Sequence, residues 1–121
     1  DVCVPISKIT ECVNFAEEQA EKFGVRAPMV GHMGDGNFHV VLPFDPKNKE
    51  SYKKIRAFND VLIRKALELN GTITGEHGVG LHKKEYLLEQ HPDNIPVMKS
   101  IKRTLDPNNI MNPGKIFDLN W

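Results

Sequence analysis

The sequence has no excess of either charge, because 16 lysine and arginine residues balance 16 aspartate and glutamate residues. That balance provides no general electrostatic attraction to nucleic acid or to an anionic membrane surface. No apolar run approaches the roughly 20 residues that a membrane-spanning helix needs. The chain also opens on the charged Asp1, without the pattern of a signal peptide. We therefore expect a soluble domain with no nucleic-acid partner.

Cysteine is scarce, and the two thiols do not have the C-x-x-C spacing of metal or redox motifs. Cys3 falls on a predicted strand and Cys12 on the apolar stripe of a predicted helix, so core packing and a reducing compartment are favoured. The sequence also lacks internal repeats and low-complexity segments. At 121 residues it is at most one domain, and it is long enough to form a hydrophobic core.

Two glycine-rich motifs are present, GHMGDGNFH at residues 31–39 and GEHGVG at residues 75–80. An Asp-Gly pair favours the two-residue turn of a β-hairpin, and a turn at Asp35 would place His32 directly opposite His39. Directly opposed residues share a face of the sheet with Cβ atoms roughly 5 Å apart. The first motif therefore predicts two imidazoles that can converge on one ion.

The second motif supplies the other chemical groups. Glu76 is the candidate third ligand, and two imidazoles with one carboxylate suit zinc or a related divalent ion such as manganese, with a coordination position left open. Neighbouring residues of a regular strand point to opposite faces, so His77 reaches the same pocket only if the backbone is irregular, which flanking glycines permit. A histidine beside the metal but not bound to it predicts a general base.

A structural interpretation competes with the metal site. Taken alone, a Gly-Asp-Gly turn flanked by histidines is only a hairpin, and Asp35 is a turn former on either interpretation. The occurrence of both motifs in one chain, each among glycines, favours the metal site.

Three runs of the sequence resemble a known family: VGHMGDGNFH, GTITGEHGVGLHKK and LDPNNIMNPGKIF. They look like the C-terminal part of the FAD-linked D-2-hydroxyacid dehydrogenases of the vanillyl-alcohol oxidase superfamily, and the resemblance covers nearly the whole chain. Within that group the sequence is most similar to the cytochrome-linked D-lactate dehydrogenases and to the FAD subunit of glycolate oxidase. Val41 stands where D-2-hydroxyglutarate dehydrogenases usually have asparagine, which argues against a dicarboxylate substrate.

The resemblance assigns roles to individual residues. It implies that His32, His39 and Glu76 bind the metal and that His77 is the base. It also implies that two asparagines lie near the flavin, namely Asn37 and Asn112.

The resemblance also implies partners. The expected substrate is a small 2-hydroxy acid, D-lactate or glycolate, which is oxidised to the 2-oxo acid with hydride transfer to FAD. The cofactor would be bound mainly by an N-terminal FAD domain with glycine-rich loops, which are not found in this sequence. The expected electron acceptor is a cytochrome or an electron-transfer flavoprotein. The chain is thus expected to be a fragment, inactive by itself, from a protein that is cytoplasmic or peripheral to an energy-transducing membrane.

The order of predicted elements within residues 1–80 is β-α-β-β-α-β. It predicts an α+β fold with a ferredoxin-like antiparallel sheet and both helices on one face. The elements are a strand at 2–6, a helix capped by Ser7 and closed by Gly24, a hairpin at 27–42, a helix at 50–69 stopped by Gly71, and a strand at 72–74. This part is the expected substrate-binding and metal-binding region.

Residues 81–121 differ in character and predict a helical tail. One short helix is expected at 83–90, and Pro96 fits the first turn of a second that ends at the Asp106-Pro107 pair. The resemblance implies that this tail returns to the flavin domain.

Two other function classes remain open from the sequence. The chain can be a catalytically silent module that binds metal or forms a homo-oligomer through apolar surface left uncovered by the missing flavin domain. It can also be a small metal-dependent hydrolase that uses the same three ligands to activate water.

Overall fold

The computed structural model describes residues 1–118. The chain divides into two compact units, Asp1–His77 and Gly78–Trp121. The first unit combines a small sheet with two long helices, and the described part of the second is helical. The predicted α+β class is confirmed.

The first unit contains a three-stranded antiparallel sheet whose middle strand is the last of the three in sequence. Its elements are β1 (Val2–Cys3), α1 (Ile9–Phe23), β2 (Met29–His32), β3 (Asn37–Val40) and α2 (Lys49–Glu68). The predicted strand at 72–74 is reduced to one isolated antiparallel bridge between Cys3 and Thr72. In that bridge the Thr72 amide donates to the Cys3 carbonyl at 2.7 Å. The four-stranded ferredoxin-like sheet stays a prediction.

The two faces of the sheet are chemically different. Val2 and Phe38 are paired across β1 and β3 and both are buried, whereas the next pair along, Cys3 and Asn37, points to the other face. α2 contacts β1 and packs along α1, where the Phe58 and Phe23 rings meet edge to face at 6.5 Å. The apolar face therefore forms the core, which leaves the opposite face for polar chemistry.

The hairpin is wider than predicted. His32 pairs with Asn37 and Val30 with His39, so the loop spans residues 33–36 and the predicted two-residue Asp35-Gly36 turn is wrong. The chain forms a 3₁₀ turn at Met33–Asp35, and Gly36 then adopts a left-handed conformation with φ of 79°. In that position the Gly36 carbonyl accepts the Val4 amide at 2.9 Å, so contact with the first strand helps to set the turn.

The helix ends agree with the sequence only in part. Gly24 closes α1 in a left-handed conformation, as predicted. Ser7 does not cap that helix, because the chain enters a 3₁₀ turn (Ile6–Lys8) directly after Pro5 and Ser7 lies inside it. α2 is capped by Asn48 and ends at Glu68. Asn70, and not the predicted Gly71, takes the left-handed conformation after the helix, with φ of 59°.

The second unit contains the two predicted helices, α3 (Lys84–Gln90) and α4 (Ile95–Leu105), with Pro96 in the first turn of α4. The buried Asp106 ends α4 and orders the following loop. Its carboxylate accepts a hydrogen bond from Lys102. It also accepts the amides of Ile110 and Met111, both of which lie at 2.9 Å. The Lys102 hydrogen bond, followed by these amides, lowers the pKa of Asp106.

No helix within residues 1–118 is both long and apolar enough to span a membrane.

Replacing Gly36 with alanine is expected to lower the free energy of unfolding by at least about 2 kcal/mol, because left-handed strain adds to a steric clash. A Cβ at Gly36 would lie 2.0 Å from the Val4 carbonyl oxygen. Gly34→Ala is the control in the same loop, since a Cβ there meets nothing within 4 Å. Urea unfolding of the two variants measures the difference, and equal midpoints would contradict the turn geometry.

Replacing Asp106 with asparagine is expected to destabilise the protein at neutral pH. Because the pKa of Asp106 is lower in the folded than in the unfolded state, its carboxylate stabilises the fold when the pH is above the unfolded pKa of about 3.9. This stabilisation is lost as the pH falls through the folded pKa. The deficit should therefore be full near pH 7 and shrink below about pH 4. Asp60→Asn is the matched control, because Asp60 also forms an i,i+4 ion pair, with Arg64, but is 41% exposed. Urea unfolding across this pH range that gives a constant deficit for the Asp106 variant would overturn the interpretation.

Candidate functional site

The polar face of the sheet carries three of the predicted site residues. His32 is paired with Asn37 across the hairpin, and His39 follows Asn37 by two residues on β3, so all three side chains point the same way. His32 and His39 do not stand directly opposite each other, as the sequence had predicted. The true register differs by two residues, an even number, which keeps both imidazoles on one face. Their ring centroids are 6.1 Å apart.

Glu76 reaches this face from the second motif. Its Oε1 lies 2.9 Å from His39 Nε2 and 3.5 Å from His32 Nε2. Two ligands of a tetrahedral ion at about 2.1 Å are roughly 3.4 Å apart, so small movements would bring the three atoms to ligand spacing. The donor atoms of His32, His39 and Glu76 all lie within 4.8 Å of one another. The structure thus brings together the three residues that the sequence had singled out as ligands.

His77 joins the same cluster. Its ring stacks on the His39 ring, with a centroid distance of 4.5 Å and an angle of 5°. Glu76 and His77 are consecutive, yet both side chains reach His39, which an extended strand would not allow. The backbone around them is irregular, as the flanking glycines had indicated.

The residue that shapes this irregular loop was missed by the sequence analysis. Asp1 has a buried carboxylate whose Oδ2 accepts the amides of Gly75, Glu76 and His77 at 2.9, 2.8 and 3.0 Å. Thr74 Oγ1 donates to Oδ1 at 3.0 Å. Extending the β1–β3 register by one residue places Asp1 opposite His39. That register was the only available signal, and it depends on a long-range pairing that the sequence does not reveal.

Asn37 lies beneath the cluster. Its side-chain nitrogen donates to Glu76 Oε1 at 3.3 Å, and its Oδ1 is buried with no hydrogen-bond partner among residues 1–118. A Cβ at Gly75 would come within 2.0 Å of that oxygen, so glycine allows the loop to approach β3. The flavin role of Asn37 stays a prediction.

Asn112, the other predicted flavin neighbour, belongs to the second unit. It has a positive φ of 45°, and its carbonyl accepts the Lys115 amide at 3.3 Å. Its flavin role also stays a prediction.

The cluster is open on one side. The side chains of His32, Glu76 and His77 are 63%, 49% and 62% exposed, whereas that of His39 is 18% exposed. His39 Nδ1 is buried and has no hydrogen-bond partner within the described chain. The arrangement therefore presents two imidazoles and a carboxylate for a cation, with a further imidazole alongside.

Comparison with known proteins places this chain in a family. Residues 1–116 match the family described as FAD linked oxidases, C-terminal domain. The chain belongs to this family. The resemblance seen in the sequence motifs is thereby confirmed.

Relatives with assigned names are similar over almost the whole chain. A probable mitochondrial D-lactate dehydrogenase of Danio rerio is 42% identical over 120 residues, which are 98% of this chain and 24% of that protein. The mitochondrial D-lactate dehydrogenase [cytochrome] of Arabidopsis thaliana is 42% identical over 96% of this chain and 21% of its own length. The glycolate oxidase subunit GlcD of Bacillus subtilis is 41% identical over 97% of this chain and 25% of its own length.

The chain therefore spans only about a quarter or less of the length of these relatives. A D-2-hydroxyglutarate dehydrogenase of Stutzerimonas stutzeri is 44% identical over 90 residues. Overall similarity thus extends to a relative named for a dicarboxylate. Only Val41, which replaces the asparagine usual in those dehydrogenases, argues against such a substrate.

Proposed function

We propose that this chain is the part of an FAD-dependent D-2-hydroxyacid dehydrogenase that positions the substrate and accepts its hydroxyl proton. The observation that carries the proposal is the stacking of His77 on His39, with Glu76 Oε1 2.9 Å from the latter. A free imidazole beside a potential ligand set suits removal of a proton from a substrate oxygen. D-lactate or glycolate is the proposed substrate, and the names of the relatives support this choice.

His77 is the proposed base. Its Nδ1 lies 3.9 Å from Asp1 Oδ1, so Nε2 is the nitrogen assigned to the substrate. Proton transfer from the hydroxyl to Nε2 breaks the O–H bond as the C2–H bond breaks and the carbonyl forms. When bound, FAD supplies the acceptor for the hydride that leaves C2. The product of the proposed reaction is the 2-oxo acid.

His32, His39 and Glu76 are the residues that would hold a divalent ion, zinc or manganese. Nitrogen and carboxylate donors suit these ions, and the exposed edges of His32 and Glu76 leave room for a substrate oxygen. A bound ion would supply Lewis acidity that orients the substrate and lowers the pKa of its hydroxyl.

The remaining parts of the proposed enzyme lie outside this chain. An N-terminal domain would hold FAD, with Asn37 and Asn112 nearby, and a cytochrome or an electron-transfer flavoprotein would reoxidise it. We further propose that residues 1–80 form a ferredoxin-like unit, with Thr72 marking its fourth strand, and that residues 81–121 return to the flavin domain. Membership of a flavin-linked family argues against the small-hydrolase hypothesis.

Zinc should raise the melting temperature of the wild-type chain, because binding requires ligands that only the folded state brings together. At about a hundred times the dissociation constant the stabilisation should be roughly 3 kcal/mol. His39→Ala should lose most of the shift. His82→Ala is the control and should retain the shift, because His82 is exposed and belongs to neither group of potential metal ligands among the described residues. Equal shifts in the wild type and the His39 variant, or none in either at millimolar zinc or manganese, would remove His39 from the ligand set.

Replacing His77 with glutamine should slow single-turnover reduction of the flavin by D-lactate by about 10²- to 10⁴-fold in the protein that contains the complete reading frame, because the base is lost. FAD content should be unchanged. Stopped-flow absorbance with D-lactate and with glycolate measures the rate for each substrate. A rate equal to that of wild type with both acids would eliminate His77 as the base.

A further inference from the structure

We propose that Asp1 is a positioning residue for the reaction described above, and the inference rests on that proposed function. Its buried carboxylate shapes the loop at residues 74–77 so that Glu76 and His77 are both presented to His39. One carboxylate oxygen of Asp1 also lies within 4.8 Å of a ring nitrogen of His39 and of His77. Because four donors of the loop already bind this carboxylate, we assign it to positioning and not to holding an ion.

The carboxylate is saturated by this loop. One oxygen, Oδ2, accepts three successive backbone amides, from Gly75, Glu76 and His77, all within 3.0 Å. The Thr74 hydroxyl donates to Oδ1 at 3.0 Å. Hydrogen bonds to a carboxylate are stronger than those between neutral groups, and the Asp1 side chain is only 1% exposed. Solvent therefore competes little for these donors.

Three successive amides that converge on one oxygen define the local conformation. In an extended strand alternate amides point in opposite directions, so such convergence requires a curled backbone. The same curl removes the alternation that would send Glu76 and His77 to opposite faces. The Asp1 carboxylate thus explains why the backbone of the second motif is irregular, which the motif's own sequence only permits.

The position of Asp1 is set by the strand that follows it. Val2, the next residue, is buried and paired with Phe38, and this pairing places Asp1 across from His39 in the register of β1 and β3. The carboxylate therefore joins the strand that carries one candidate ligand to the loop that carries another. A shift of Asp1 would move the loop relative to that strand.

The test compares Asp1→Ala and Asp1→Asn with wild type in the protein that contains the complete reading frame. Alanine removes the acceptor of the Thr74 hydroxyl and of the three amides, whereas asparagine keeps the size and one acceptor oxygen and should rescue part of the loss. Amide hydrogen exchange of residues 75–77 should be at least about tenfold faster in Asp1→Ala, because the amides lose their acceptor.

Two functional measurements separate positioning from simple stabilisation. Zinc affinity should fall about 10- to 100-fold in Asp1→Ala, the range typical of groups that orient metal ligands. The limiting rate of flavin reduction should fall by a similar factor with little change in the half-saturating D-lactate concentration. Asp106→Asn is the matched control for zinc affinity, because it also alters a buried carboxylate that orders a loop through two amides. It should lower stability without changing that affinity.

The outcomes are distinguishable. Unchanged exchange at residues 75–77 overturns the inference even when zinc binds and His77 proves to be the base. Faster exchange with unchanged zinc affinity and unchanged flavin reduction also overturns it, because the role would then be structural only. A wild-type protein that binds no zinc overturns the metal assignment, and exchange together with flavin reduction then decides the role of Asp1.

Discussion

The antiparallel pairing of β1 with β3 is the constraint on which the rest of the first unit depends. Val2 and Phe38 meet in this ladder and are buried on the apolar side. Burying each such side chain stabilises the fold by about 1.5–3 kcal/mol. The same ladder sets Asp1 beside His39, and Val4, two residues after Val2, closes the hairpin turn through the Gly36 carbonyl. A hydrophobic contact therefore determines where the polar groups of the opposite face lie.

Much of this arrangement could be predicted from local patterns. Helical periodicity located α1 and α2, because one apolar face recurs every three to four residues. Proline signals at Pro96 and Pro107 located α4. The two glycine-rich motifs also predicted the clustering of His32, His39 and Glu76, although the two-residue turn assumed at Asp35-Gly36 was too short. The prediction succeeded because side chains alternate along a strand, so an error of two residues leaves each imidazole on its face.

The features that could not be predicted are those that depend on distant parts of the chain. The hairpin register is set partly by contact with β1, which the Asp35-Gly36 pair does not encode. Asp1 acts through hydrogen bonds to backbone amides, and such bonds leave no periodic or compositional mark at their acceptor end. Gly75 looked like a flexible turn residue, whereas its actual role is to let the loop lie against Asn37. Long-range packing determines each of these features.

The contacts of Asp1 also have a consequence for how the site is assembled during folding. The amides that its carboxylate accepts are 74 to 76 residues away along the chain. Closing so large a loop costs more entropy than forming a helix or a hairpin, and contacts of this kind generally form late. The two strands of the hairpin are close in sequence and can pair early, and contact with β1 then helps to fix their register. Glu76 and His77 join the histidines only after Asp1 and β1 have docked, so the site is completed late in the folding of the first unit.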